Sequence, residues 1–269
     1  MMISPVTVLI RGAGEIASGV AHRLRRSHFW VCLTETSHPL AVCRGTAFSE
    51  AVFDGTKTIE GVTAELVPPS EIDRAWNRGN IAVVIDPDAS VIERLKPDVV
   101  VDAIMAKRNT GTRISDAPLV IGLGPGFHAG SDVHLVVETS HRHQLGAMIR
   151  KGQAEPNDGA PVTIGSLSRG RVAWATQAGV FTSPHDIGDT VAACQEVGRV
   201  DNLTVAAPVS GILRGLLRSG VRVTAGDKLI EVDPQNDRSI CYTIRDKMKT
   251  VADGVLAAIE TGLSRERTV

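Results

Sequence analysis

Val6-Thr7-Val8-Leu9-Ile10-Arg11-Gly12-Ala13-Gly14-Glu15-Ile16-Ala17 is the stretch that sets the expectation for the fold. Its first half is a short β-branched run of the kind that forms a buried strand. After the two glycines, Ile16, Val20, Ala21 and Leu24 recur at helical spacing. In a Gly-x-Gly-x-x-Ala pattern the first glycine permits a tight turn and the second lets a pyrophosphate approach backbone. The third small residue, Ala17, packs helix on strand. The helix N-terminus offers unpaired N–H groups and a positive dipole end to phosphate. A second strand read over Phe29 to Thr34 ends at Glu35, 21 residues after Gly14, where a carboxylate can hold a ribose diol.

Further strands are expected over Ile81–Ile85, Asp98–Asp102 and Leu119–Ile121, with a helix over Ser90–Leu95. Strands alternating with helices imply βαβ units and a parallel, Rossmann-like sheet. Two strand-end loops add candidate ligand contacts. One carries Lys107, Arg108 and Asn109; the other carries Gly122, Gly124 and Gly126, whose bare backbone suits an anion. With Gly12, Ala13, Gly14, Glu15, Ile16, Ala17 and Glu35 they make up the expected cofactor-binding set. Asp132, His134, Glu138, His141 and His143 resemble a ligand cluster, but a hydrogen-bonded structural cluster is the favoured reading, and no metal is expected.

From about Gly159 the pattern changes to short strands and regular glycines. A repeat at an offset of 32 residues aligns Ala178–Phe181 with Ser210–Leu213, Gly188 with Gly220, Val191 with Val223, and Val200 with Val232. Two such copies suggest an all-β barrel-sandwich hybrid of the biotinyl and lipoyl type. A carrier role is not expected, because no lysine occurs between Lys151 and Lys228 to take biotin or lipoate. Val251, Val255, Leu256 and Ile259 then mark a terminal amphipathic helix, with Arg245, Asp246 and Lys247 at its start. The expected organisation is α/β: a Rossmann-like parallel sheet over 1–158, an inserted barrel-sandwich β domain over 159–239, and a helix over 240–269 returning to the first domain.

The 269 residues carry a net charge of −1 and 3% aromatics, which gives no basis for binding nucleic acid or an anionic membrane. No run of about 18 apolar residues and no secretory leader is seen, so a cytoplasmic, non-membrane protein is expected. Cys32, Cys43, Cys194 and Cys241 are scattered, without a Cys-x-x-Cys.

Several segments recur in order: Arg11–Gly19, Pro39–Val42, Phe48–Val52, Ala106–Asn109, Gly122–Phe127, Asp132–His134 with Glu138-Thr139, and the Asp246-Lys247 tail. Together they resemble the accessory proteins of selenium-dependent molybdenum hydroxylases (YqeB-like), over nearly the whole chain. The resemblance implies a maturation factor serving a molybdenum hydroxylase partner and holding NAD(P) or a molybdopterin dinucleotide. The alternatives are a partner-binding scaffold with a vestigial Rossmann site, and an NAD(P)-dependent oxidoreductase in which Glu35 would favour NAD. No catalytic residue is identified, whether the chain is an enzyme is undecided, and homo-oligomerisation is left open. The chain departs from the family pattern at Cys43-Arg44, where two arginines are expected, and at Arg245, where a small polar residue is expected.

Overall fold

The computed structural model describes residues 5–141, 144–156, 169–235 and 237–266. His143 and the domain boundary read at 158/159 lie outside them. The chain divides into two compact units. One contains residues 1–37, 48–158 and 244–269; the other contains 38–47 and 159–243.

The first unit is built on nine strands: β1 Thr7–Arg11, β2 Trp30–Glu35, β3 Thr56–Ile59, β4 Val62–Leu66, β5 Ile81–Ile85, β6 Val99–Asp102, β7 Leu119–Leu123, β8 Leu135–Val137 and β9 Met148–Ile149. Its helices are α1 Glu15–Arg26, α2 Ala51–Asp54, α3 Ile72–Asn77, α4 Ile92–Leu95 and α5 Asp246–Glu266. The strand order is β3-β4-β5-β2-β1-β6-β7-β8-β9. The seven strands from β4 to β8 run parallel to their neighbours, whereas β3 and β9 pair antiparallel at the two edges. The sheet is therefore mixed, and the parallel Rossmann-like sheet expected from sequence is corrected. The reason is local at one edge. Glu60 and Gly61 both adopt positive φ, 43° and 80°, which turns β3 back on β4 as a two-residue hairpin.

Alternate strand residues feed two separate cores. Val8, Ile10, Ile81, Val83, Val99, Val101 and Ile121 face the side covered by α1 and α5. Leu9, Ala82, Val84, Val100 and Val120 face the side covered by α3. Continuous apolar runs are what a strand buried on both faces requires. On the α3 side Trp76 stacks on Trp30 with centroids 5.1 Å apart and donates its indole N–H to Val31 O at 2.8 Å. Helix α5 lies along α1: Gly19 meets Met248, and Arg23 donates to Asp253 at 2.6 Å. Both helices consequently begin at the same end of the sheet, the carboxyl edge of its parallel strands.

The second unit contains β10 Val172–Trp174, β11 Gly179–Thr182, β12 Thr190–Val191, β13 Glu196–Val200, β14 Leu203–Ala206, β15 Gly211–Leu216, β16 Arg222–Val223 and β17 Lys228–Asp233. They form two four-stranded antiparallel sheets, β10-β17-β15-β12 and β14-β13-β11-β16. This replaces the expected barrel-sandwich hybrid. The 32-residue repeat has a structural counterpart: β12 pairs with β15 of the other copy, and β16 pairs with β11. Gly188 and Gly220 take nearly the same φ, 90° and 91°. The segment 38–47 joins this unit through Leu216 N, which donates to Val42 O at 2.8 Å.

Candidate functional site

The loop after β1 is held from inside the protein. Ala13 N donates to Glu35 Oε2 at 2.9 Å, and Thr36 N donates to Glu35 Oε1 at 2.7 Å. The carboxylate expected to hold a ribose thus occupies a loop N–H expected to face phosphate. Gly12, at φ +93°, needs its freedom for the turn, and a Cβ there would sit 3.2 Å from Ala103 O. Gly14 differs: its φ is −68°, and a Cβ would meet nothing within 4 Å. Open space lies over that residue at the N-cap of α1. Ile16 is partly buried and packs against the core, and Ala17 is fully buried within it.

The other expected contacts divide differently. Lys107 and Arg108 are exposed, with Lys107 in the left-handed region at φ 61°. Asn109 is spent on its own loop, accepting from Gly111 N and Thr112 N and donating to Thr112 O. A Cβ on Gly126, at φ +111°, would come within 2.6 Å of Arg108 N. One on Gly122 would strike the Phe127 ring, and one on Gly124 would strike Thr139 Oγ1. These glycines let two strand-end loops lie on each other and on their own strand. Below them Asp102, 1% exposed, accepts from Thr112 Oγ1 at 2.6 Å and pairs with buried Arg11 at 3.5 Å.

The polar cluster after β7 serves the backbone. Asp132 accepts from His128 N, His134 Nδ1 accepts from Val120 N, and buried Glu138 accepts from the N–H groups of Thr139, Ser140 and Glu155. Each is committed to a different piece of chain. Among the described residues no group of three or more His, Cys, Asp or Glu could hold a metal.

What converges at the carboxyl edge is a set of charges from the start of α5. Burial lowers the pKa of Lys247, and Arg245 adds to that, while Glu15 and Glu138 oppose it. Burial likewise lowers the pKa of His141, with Lys247 and Arg245 pushing in the same direction. Three basic side chains from two segments therefore lie within electrostatic reach of one another near the start of α5. Sequence reading had Arg245 and Lys247 at the helix start and His141 in the polar cluster. Nothing in spacing joined them, because about a hundred residues separate the two segments.

No family model matches the chain. Among curated proteins it is 43% identical over 253 residues to "Uncharacterized protein YqeB" of Escherichia coli (strain K12). The match takes in 94% of this chain and 47% of that protein, so the chain spans about half the length of the curated relative. The similarity supports a YqeB-like family. That relative's name assigns no activity and no tie to selenium or molybdenum.

Among solved structures, the ectoine utilization protein EutE (DoeB) from Ruegeria pomeroyi is 13% identical, with 86% of each chain covered and a TM-score of 0.27. A succinylglutamate desuccinylase from Silicibacter sp. TM1040 is 13% identical, with 85% of this chain and 84% of that one covered and a TM-score of 0.25. A succinylglutamate desuccinylase/aspartoacylase from Rhodobacter sphaeroides is 16% identical, with 85% and 88% covered and a TM-score of 0.26. None is a molybdenum-enzyme factor or a dinucleotide-binding protein by name. The expected maturation role, with its alternatives, is corrected on the closure of Glu35 over the loop, where its carboxylate holds Ala13 N and Thr36 N. At these TM-scores the likenesses carry no argument for an activity of this chain. No helix among the described residues is long and apolar enough to cross a membrane.

Proposed function

We propose that the first unit binds a small anion, phosphate- or carboxylate-bearing, at the carboxyl edge of the mixed sheet between the N-termini of α1 and α5. The observation that carries this reading is the depression of both His141 and Lys247, the first by burial, Lys247 and Arg245, the second by burial and Arg245. Clustered cations that lower each other's pKa gain stabilisation when an anion arrives. Two parallel helix N-termini add positive dipole ends to the same place. The open space over Gly14 gives a ligand room to approach. In this arrangement Lys247 and Arg245 supply countercharge. His141, neutral near pH 7 because its pKa lies below the ordinary value, can accept a proton.

The test is a titration with inorganic phosphate and with succinate, following His141 by NMR in the wild type and in Lys247→Met. Binding should raise the His141 pKa, and the variant should lose about tenfold or more in affinity, the scale of one charge-assisted contact. Absence of any affinity stronger than millimolar for either ion, or an unaffected variant, overturns the reading. NAD(P) and molybdopterin dinucleotide, suggested by the loop sequence, are further proposed ligands for the same titration.

A further inference from the structure

At the opposite, amino edge of the mixed sheet lies a cavity of about 650 Å³, whose wall includes Arg25, Arg26, His28, Arg78, Gly79 and Asn80. Helices α1 and α3 cover opposite faces of the sheet, and both end here, because each returns the chain to the start of a parallel strand. Arg25 and Arg26 close α1, and Arg78 caps the end of α3. Arg25 ties the two ends together, its Nε donating to Gly79 O at 2.9 Å. Gly79, at φ +80°, leaves room for that guanidinium, since a Cβ there would sit 3.2 Å from Arg25 Nη2.

Three guanidinium groups therefore border one cavity. Arg78 pairs with Glu65, whose other oxygen accepts from Asn80 Nδ2 at 3.0 Å. Arg25 bonds to a carbonyl rather than a carboxylate, and Arg26 has no hydrogen-bond or ion-pair partner among the described residues. An adjoining hollow shares Arg26 and holds Glu60 and Asp253. Those carboxylates are engaged elsewhere, Glu60 by Ile244 N at 2.8 Å and Asp253 by Arg23 at 2.6 Å. Among the described residues the wall thus carries two guanidinium groups beyond the one that Glu65 pairs.

We propose that this amino-edge cavity binds a small phosphate-bearing molecule, its phosphoryl group held among Arg25, Arg26 and Arg78. A guanidinium is a planar fork of donors that matches phosphate oxygens two at a time. A tetrahedral phosphoryl group turns its oxygens in several directions, so donors arriving from the ends of two helices each find one. A carboxylate offers two oxygens in one plane and leaves a guanidinium unsatisfied. A phosphomonoester carries a charge of about −1.5 to −2 at neutral pH, which matches the two guanidinium groups without a carboxylate. Small-molecule sites run to about 300–1,000 Å³, so the cavity has space beyond the phosphoryl group for an organic portion. The site lies at the other end of the sheet from Lys247 and stands independently of the ligand proposed there.

The experiment is calorimetric titration of the full chain with inorganic pyrophosphate and, in parallel, with succinate. Ionic strength is held at about 0.15 M, where exposed charges are strongly screened. The titrations are repeated in Arg26→Met and in Lys247→Met. Arg26 is exposed, so its replacement leaves the core untouched. Wild type should show a pyrophosphate component about tenfold or more tighter than any for succinate. That component should weaken about tenfold or more in Arg26→Met, the scale of one charge-assisted contact, and persist in Lys247→Met. The His28 ring signals should shift in NMR spectra as pyrophosphate is added. Pyrophosphate affinity weaker than millimolar, equal affinity for succinate, or an Arg26→Met variant that binds as wild type does overturns the proposal. Binding lost in Lys247→Met and kept in Arg26→Met overturns it as well, and places the anion at the carboxyl edge instead.

Discussion

Replacing each of two glycines of α5 by alanine separates intrinsic helix propensity from the docking of this helix on its unit. In isolation both changes gain about 1 kcal/mol, because glycine is that much poorer than alanine in a helix interior. At Gly254 the new Cβ would lie 2.2 Å from Gly146 O and 3.0 Å from two further backbone atoms of Gly146. That backbone cannot retreat freely, since Gly146 N donates to Glu138 O at 2.9 Å and Ala147 O accepts from Glu138 N at 3.0 Å. The helix must instead move outward until the contact exceeds 3.0 Å, loosening Val251 and Val255 in the core. Overpacking of this kind costs about 1–3 kcal/mol. Gly254→Ala should therefore be destabilising by up to about 2 kcal/mol after the propensity gain is subtracted. At Gly262 the Cβ would come within 2.6 Å of Leu119 Cδ2, the end of a side chain. A rotamer adjustment of about 0.5–1.5 kcal/mol absorbs the contact, leaving a net change near zero. Thermal unfolding should show Gly254→Ala melting several degrees below Gly262→Ala, at about 2–4 °C per kcal/mol for a unit of this size. Equal midpoints, or a stabilised Gly254→Ala, would refute the argument that backbone contact sets the sign.

Glu231→Gln removes a carboxylate charge that buried Arg171 and Arg214 share and should cost about 3–5 kcal/mol in chemical denaturation of the second unit. Burial opposes ionisation of Glu231, but Lys228, Arg214 and Arg171 together hold its carboxyl well below the ordinary range. Its contribution is thus complete above the unfolded value of about 4.3 and disappears as pH falls toward the folded one, so the gap between wild type and variant should narrow only in acid. Phe181→Ala removes a fully buried ring and should destabilise the second unit by about 3–5 kcal/mol, read from the same denaturation curve. Lys247→Met should raise the His141 pKa toward 6.5, as followed by NMR. The depressed imidazole makes stability fall as pH drops below that value, and the variant should lose part of this dependence.

Sequence alone determined the pieces that local pattern controls. The apolar runs form β1, β2, β5, β6 and β7 within a residue or two of where they were read, because strands buried on both faces must be continuously apolar. The spacing of Val251, Val255, Leu256 and Ile259 marked the buried face of α5, and the 32-residue repeat foretold the corresponding strands β11 and β15. Elsewhere the pattern was misleading. The helix read over Ser90–Leu95 is a single turn, Ile92–Leu95.

Tertiary structure alone decided what each polar group does. Glu35 stands where a ribose carboxylate is expected, yet it closes on Ala13 N. Gly126, read as an anion cradle, makes room for a neighbouring loop. His141 has its pKa lowered by burial and by Lys247 and Arg245 about a hundred residues away, and Cys43 meets Arg214 and Glu231 from strands far along the chain. Periodicity records which residues leave water, since burial acts along each element. Hydrogen bonds and charges act through space, between segments whose meeting is fixed only when the sheets have formed.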